Sequence, residues 1–225
     1  MSGYEAVLFD NDGVLVEPPL RESQVAAIRA ALREVGLEDV DTTDVETLRG
    51  GVYPDDLEAL CARRGLDPVE VWDARERHDE ESQLADFREG VRAPYDDVAA
   101  LEDLDGACAC GVVSNNHHST VAFVLEFFEL EAHFEVHYGR EMTIESLERK
   151  KPHPHYLERA LSDLAVDPAE ALYVGDSESD VVAAARAGAD SVFLRREHWR
   201  DRSLSVEPTY EAGTLHDVLA LVEER

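Results

Sequence analysis

Lysine is almost missing from this chain. Only Lys150 and Lys151 are lysines among its 21 basic residues, and the other 19 are arginines. Against them stand 50 acidic residues, so the formal net charge is −29. A surface so poor in positive charge repels a phosphate backbone, which excludes nonspecific nucleic-acid binding and disfavours an anionic membrane. Long hydrophobic runs are absent as well: none approaches the roughly 18 to 20 residues of a membrane span. The opening Met1-Ser2-Gly3-Tyr4-Glu5 lacks the succession of basic, apolar and small residues of a secretory leader, so the cytoplasm is the expected compartment. Cysteine is scarce too. Cys61, Cys108 and Cys110 cannot pair completely, and no C-x-x-C spacing suggests zinc. Reduced, structural thiols are expected.

What is present points to a folded chain, either one large domain or a core with an insertion. It has 225 residues, 44% of them hydrophobic, enough for a sizeable core, so disorder throughout is excluded despite the charge. The acids are spread along the whole chain rather than gathered in a tail. An acid-rich, lysine-poor composition is similar to that of proteins from salt-loving organisms. Excess carboxylates keep such a surface hydrated, and salt screens their repulsion.

Residues 4–9 read as a strand whose Ala6-Val7-Leu8-Phe9 run is apolar throughout, as in a sheet buried on both faces. From about 20 to 88 the pattern is helical. Val25, Ile28, Ala31, Leu32 and Val35 recur at three- and four-residue spacing before Gly36, and further helices are expected near 54–64 and 67–88. After Gly90 strands and helices alternate. Helices are expected near 95–104, 118–129, 153–164, 178–187 and from about 214. Strands are expected at 108–113, near 134–138, at 171–174, at 191–194 and near 208–210. Such alternation implies an α/β fold with a Rossmann-like parallel sheet flanked by helices. The helical block interrupts it as an inserted all-helical domain would. The expected division is a core of 1–16 and 90–225 and a helical domain of 17–89, with hinges near 14–19 and 89–94.

The residues that promise chemistry follow strand ends, where open α/β sheets bind ligands. Asp10 and Asp12 follow the first strand, Ser114 the second, and Asp176 and Asp180 the fourth; Lys151 lies in a loop before a helix. Four clustered carboxylates repel one another unless a cation sits among them, and a hard divalent ion such as Mg2+ suits oxygen ligands. Each residue also has a plain structural reading. Asp10 and Asp12 could form a turn before glycine, Ser114 could cap a helix, and Asp176 and Asp180 could solvate a helix start. Lys151 is harder to dismiss in a chain that has nearly eliminated lysine; Lys150 reads as its solvated neighbour. The pairs His117-His118 and His153/His155 read as exposed or capping histidines rather than a transition-metal site.

Four segments in order carry a resemblance: Asp10-Asn11-Asp12-Gly13-Val14-Leu15, Ser114-Asn115, Lys151-Pro152-His153-Pro154 and Gly175-Asp176-Ser177-Glu178-Ser179-Asp180. Together they resemble the motifs of the haloacid dehalogenase-like hydrolase superfamily, in particular its phosphoglycolate phosphatase and β-phosphoglucomutase branch. The helical insertion resembles that family's cap domain. Val16-Glu17-Pro18-Pro19 departs from the Asp-Ser that many members carry after the first motif.

The resemblance implies a magnesium-dependent phosphatase acting on a small phosphorylated metabolite, such as phosphoglycolate or a sugar phosphate. Asp10 would be the nucleophile and Asp12 the acid and base. Ser114, the main-chain N–H of Asn115 and Lys151 would hold the phosphoryl group. Asp10, the Asp12 carbonyl, Asp176 and Asp180 would hold the metal, Asp180 directly or through water. In the expected cap, Arg49-Gly50-Gly51 resembles a substrate-specificity loop, with Arg49 as an anion contact; an ordinary turn between helices fits equally.

Dehalogenases lack an acid like Asp12, and phosphonoacetaldehyde hydrolases need a cap lysine, which residues 16–90 do not contain. A phosphomutase is the alternative, but the cap offers only His78 and nine arginines as basic groups, and arginine is a poor proton shuttle. A non-catalytic phosphometabolite-binding protein is the alternative outside enzymes; loss of Asp10, Asp12 or Lys151 would have favoured it. The substrate and the oligomeric state are not legible.

The charge distribution yields one expectation independent of any site. The melting temperature should rise steadily between low and multimolar potassium chloride. A flat thermal melting series would contradict the salt-adapted reading.

Overall fold

The computed structural model describes residues 3–104, 106–196 and 203–224. In chain order the elements begin with β1 (Ala6–Phe9), α1 (Arg21–Glu34), α2 (Thr42–Arg49), α3 (Pro54–Arg64) and α4 (Pro68–Arg88). A 3-10 helix (Asp96–Leu104) leads to β2 (Ala109–His117), α5 (His118–Phe127) and β3 (Val136–Arg140). After these come α6 (His155–Leu164), β4 (Ala171–Gly175), α7 (Glu178–Ala187), β5 (Asp190–Leu194), β6 (Tyr210–Ala212) and α8 (Leu215–Glu224). No helix among the described residues is long and apolar enough to cross a membrane. All three cysteines are free thiols.

The six strands form one parallel sheet in the order β3-β2-β1-β4-β5-β6. The expected α/β fold with a Rossmann-like parallel sheet is therefore the observed one. Alternation along each strand feeds two cores. On one face Val7, Phe9, Val112, Leu172 and Val174 pack with Val121 and Leu125 of α5 and Val218 and Val222 of α8. On the other, Ala6, Leu8, Val113 and Tyr173 pack with Tyr156, Leu157 and Leu161 of α6 and Ala183 and Ala184 of α7. Burial on both faces explains the unbroken apolar run of β1.

Contacts divide the chain into two compact units. One comprises Met1–Pro18, Ala93–Arg140 and Arg149–Arg225; the other comprises Pro19–Arg92 and Glu141–Glu148. Within the first, the segments where the chain leaves and returns lie side by side: Tyr95 N donates to Leu15 O at 3.0 Å, and Glu17 N to Ala93 O at 3.0 Å. The second unit is helical and has its own core, with Ile28, Leu32, Leu48, Leu57, Leu60 and Trp72 fully buried.

The structure departs from the sequence pattern in three places. The helix expected near 95–104 is a 3-10 helix. Strand β2, expected to end at 113, runs on to His117, whereas α2 lies inside the expected helical block. Leu147, in the 3-10 turn Ile144–Glu148, joins the helical core although it lies far along the sequence from the rest of that unit.

Asp44 holds the helical unit together electrostatically. It is fully buried, it accepts from Arg63 Nη2 at 2.9 Å and Arg64 Nε at 3.0 Å, and it closes the capping box of α2 with Asp41. Burial alone would raise its carboxyl, but the two guanidiniums and the Asp41 backbone outweigh this and hold it below the usual 3.8. A carboxyl lowered by folding contributes stability above its unfolded value, and that contribution is lost as pH falls through the folded one. Asp44→Asn should therefore cost the helical unit on the order of 2 kcal/mol at neutral pH. Its deficit relative to wild type should shrink below about pH 4. Denaturant unfolding across pH checks both.

Candidate active site

Strand β1 pairs with β2 on one side and β4 on the other, with Phe9 level with Val112 and with Val174. The residues just past Phe9, Val112 and Val174 are therefore neighbours on three adjacent central strands. Asp10 N donates to Val174 O at 2.9 Å, which carries the pairing one residue further. The chain then turns sharply, and the Asn11 carbonyl accepts from the amides of Val14, Leu15 and Val16. Asn11 N donates to Asp10 Oδ1 at 2.7 Å. At the end of β4, Asp180 sits at the third position of α7, where its Oδ2 accepts from Ser177 N at 2.9 Å and Ser177 Oγ at 2.7 Å.

Two glycines allow the acidic loops to close. Gly13 has φ +82°, and a Cβ there would lie 2.0 Å from Asp176 Oδ2. A Cβ on Gly175 would lie 2.3 Å from Asp180 Cβ. Any side chain at either position would push one acid off its neighbours.

Lys151 lies at the centre. It is 3% exposed, and its Nζ is 2.7 Å from Asp180 Oδ1 and 3.0 Å from Asp10 Oδ2. The same ammonium donates to Tyr173 Oη at 2.6 Å and Val113 O at 3.2 Å. Burial would lower its pKa, but Asp10 and Asp180 outweigh that and raise it, so it stays charged. Burial pushes the Asp10 carboxyl up to about 7; Lys151 opposes the rise, and Asp180, Asp176 and Asp12 add to it.

Asp10, Asp176 and Asp180 each present an oxygen within 4.8 Å of the others, the one such metal-capable cluster among the described residues. Lys151 brings a single positive charge to these three buried carboxylates. The donors are all oxygen, and the raised Asp10 carboxyl marks a place where another cation would be welcome. The residues therefore fit a hard divalent ion such as magnesium.

Ser114 and Asn115 lie within β2, where regular pairing with β3 is interrupted between Val113 and His117. Ser114 is buried, and its Oγ accepts from Asn116 N at 3.2 Å. The Asn115 side chain makes a two-way clamp on Lys151: Lys151 N donates to Oδ1 at 2.7 Å, and Nδ2 donates to Lys151 O at 3.0 Å. Arg140 Nε donates to Asn115 O at 3.1 Å. Asp12 is half-buried, and its carboxylate stands apart from the three clustered acids, with Oδ2 accepting from Asn116 Nδ2 at 2.8 Å.

Asp10, Asp12, Ser114, Asn115, Lys151, Asp176 and Asp180 are thus gathered beyond the level row of the three central strands. Arg49 belongs to the helical unit, where its Nε pairs with Glu46 Oε2 at 2.9 Å. His117, expected to be exposed or capping, is buried, with Nδ1 3.4 Å from Thr120 Oγ1. His118 is exposed and stacks on His137.

Sequence reasoning missed Asn116, Arg140 and Tyr173. Asn116 had a signal, since it adjoins the second motif. Tyr173 looked like any buried strand residue, and Arg140 like one more arginine.

One expectation tests this packing. In Gly13→Ala, the Asp176 carboxylate should move by about 1 Å or more to escape the new methyl group. A crystal structure of the variant would show it.

The comparisons with known proteins agree with this geometry. The model of the family described as haloacid dehalogenase-like hydrolase matches residues 7–194. The protein named pyrophosphatase PpaX of Bacillus cereus (strain ATCC 10987 / NRS 248) is 35% identical over 182 residues, which cover 81% of this chain and 79% of that one. Its namesake from Anoxybacillus flavithermus is 24% identical over 220 residues, covering 96% and 95%. Among solved structures, CbbY from Rhodobacter sphaeroides in complex with phosphate has a TM-score of 0.74 at 23% identity, covering 98% and 99%. A hydrolase of the same superfamily from Geobacter sulfurreducens PCA has a TM-score of 0.64 at 23% identity, covering 97% and 99%. With its motifs gathered on this sheet and the family model spanning most of its length, the chain belongs to the haloacid dehalogenase-like hydrolases, among their phosphatases.

Proposed function

We propose that the protein hydrolyses a small phosphorylated metabolite in two steps through a phosphoryl group carried on Asp10, with magnesium held by Asp10, Asp176, Asp180 and the Asp12 carbonyl. The observation that carries this reading is the buried ammonium of Lys151, 3.0 Å from Asp10 and 2.7 Å from Asp180 beside a third carboxylate. A structural ion pair needs no third buried acid beside it. A phosphoryl-transfer site uses that third acid to hold a cation.

When bound, the metal supplies positive charge that lowers the repulsion between the Asp10 carboxylate and an anionic phosphoryl group. Asp10 attacks phosphorus, and the ester oxygen departs with a proton from Asp12. Water then attacks the phosphoryl group on Asp10, and Asp12 takes the proton back. Ser114, the main-chain N–H of Asn115 and Lys151 hold the phosphoryl oxygens. The Asn115 clamp on the Lys151 backbone keeps the second and third motifs in register. In this reading the helical unit is the cap domain, Arg49 contributes to substrate choice, and the protein works in the cytoplasm of a salt-loving cell.

Hydrolysis stands ahead of phosphomutase chemistry for a physical reason. His78, the one cap basic group suited to proton shuttling, has its Nε2 2.8 Å from Glu34 Oε2 within the helical unit. The relatives named pyrophosphatase and the neighbour bound to phosphate make a compact anionic phosphate compound the natural substrate class.

With magnesium in multimolar salt, the protein should release phosphate from p-nitrophenyl phosphate and from members of a panel of small phosphate compounds, pyrophosphate included. Asp10→Asn should cut turnover by roughly 10³-fold or more. Magnesium at a hundred times its dissociation constant should raise folding stability by about 2.7 kcal/mol in wild type, and by less in Asp176→Asn. Undiminished turnover in Asp10→Asn would refute the nucleophile.

A further inference from the structure

We propose that Asn116 is a positioning residue for Asp12, holding Oδ2 as a fixed acceptor so that the transferable proton sits on the other carboxylate oxygen. This rests on the reading of Asp12 as the acid and base of the reaction.

The geometry leaves the amide one orientation. Asn116 Oδ1 accepts from His117 N at 2.8 Å, so the edge turned toward Asp12 is the NH2, and Nδ2 donates to Asp12 Oδ2 at 2.8 Å. The backbone beneath is pinned as well. Asn116 N donates to Ser114 Oγ at 3.2 Å. The Asn116 carbonyl lies 2.7 Å from where a Cβ on Gly139 would stand. The interruption of β2–β3 pairing ahead of His117 turns this residue to the Asp12 side. A side chain 104 positions away from Asp12 is thereby held on its carboxylate by partners of its own.

This arrangement assigns a proton. A carboxylate oxygen that receives an amide hydrogen is not the oxygen that presents an acidic proton in that direction. Because a carbonyl oxygen is the better acceptor, the amide favours Oδ2 as the carbonyl oxygen of the protonated acid and Oδ1 as the one that bears the proton. In the first step the Asp10–phosphorus bond forms, the ester P–O bond breaks, and the departing oxygen takes the Oδ1 proton. In the second step the water oxygen bonds to phosphorus, the Asp10–phosphorus bond breaks, and the water proton returns to Oδ1. Asn116 exchanges no proton; it fixes the rotation of the carboxylate about its Cβ–Cγ bond.

A group that aims the acid matters in proportion to how much the leaving group needs a proton. p-Nitrophenyl phosphate and phenyl phosphate separate this from a general packing role, because they differ little in shape but the nitrophenolate departs readily as an anion. Their kcat/KM values report the first step alone. Asn116→Ala removes the donor and the acceptor for His117 N–H without adding charge; Asn116→Asp keeps the side-chain shape and that acceptor, and exchanges the donor for a negative charge.

In each variant the ratio of kcat/KM for p-nitrophenyl phosphate to that for phenyl phosphate should rise fivefold or more over wild type. General acid assistance is worth roughly 10²- to 10⁴-fold, so the range is wide enough to read. Asp12→Asn is the reference and should raise the same ratio at least as much. If Asp12→Asn raises it and Asn116→Ala leaves it as in wild type, the positioning role is overturned while the Asp12 reading stands. If Asp12→Asn leaves it unchanged, the acid role itself fails and this inference with it.

Discussion

The structure turns on one buried ammonium held between two buried carboxylates. Taking an amine or a carboxylate out of water costs several kcal/mol per ion, and the loss is recovered only when geometry and hydrogen bonds are nearly complete. Lys151 meets that condition with Asp10, Asp180, the Tyr173 hydroxyl and the Val113 carbonyl around its Nζ. Tyr173 in turn donates to Val113 O at 2.6 Å, so the group that steadies the ammonium is tied to β2. Asp180 is tied to the start of α7 through Ser177. Every charge at the centre is thus fastened to a different element of the sheet unit.

The sheet order makes this convergence possible. Strand β1 is the middle neighbour of β2 and β4, although a hundred residues or more separate it from each along the chain. The register sets Asp10 one step beyond a level row of Phe9, Val112 and Val174. Ser114 and Asp176 leave the flanking strands at nearly the same height. Glycine at 13 and 175 then lets the loops approach more closely than any side chain would permit. A site of like charges needs this enforced proximity, because the carboxylates would otherwise separate. It is also why a divalent cation fits here: the fold has already brought the acids together against their mutual repulsion.

Much of this was legible in the chain because its signals are local. Strands buried on both faces show as apolar runs, and amphipathic helices show as a 3.6-residue period. Asp10 and Asp176 lie directly past strand ends and Ser114 just past the apolar run of β2, so finding the apolar runs located all three. Where the signal was not local, the reading stopped. The 3-10 geometry of Asp96–Leu104 differs from an α-helix in hydrogen bonding, not in apolar spacing. Leu147 carries nothing in its neighbours to announce that it joins the core of the helical unit. Tyr173 and Asn116 act through groups 22 and 104 residues away, and no spacing rule connects them.

From composition and order alone came the acidic charge, the α/β alternation with its helical interruption and the identities of the charged groups that follow the expected strands; the family came from the resemblance of four motifs. These follow from residue type and short-range pattern, which folding does not alter. The fold alone decided which oxygen of which acid meets Lys151, that the Asn115 side chain clamps the Lys151 backbone, and that Asp12 faces Asn116 instead of joining the three clustered carboxylates. Those are matters of direction and separation at the scale of one hydrogen bond. They are set by strand register, by a break in pairing and by missing side chains at Gly13 and Gly175, none of which a linear string of residues expresses.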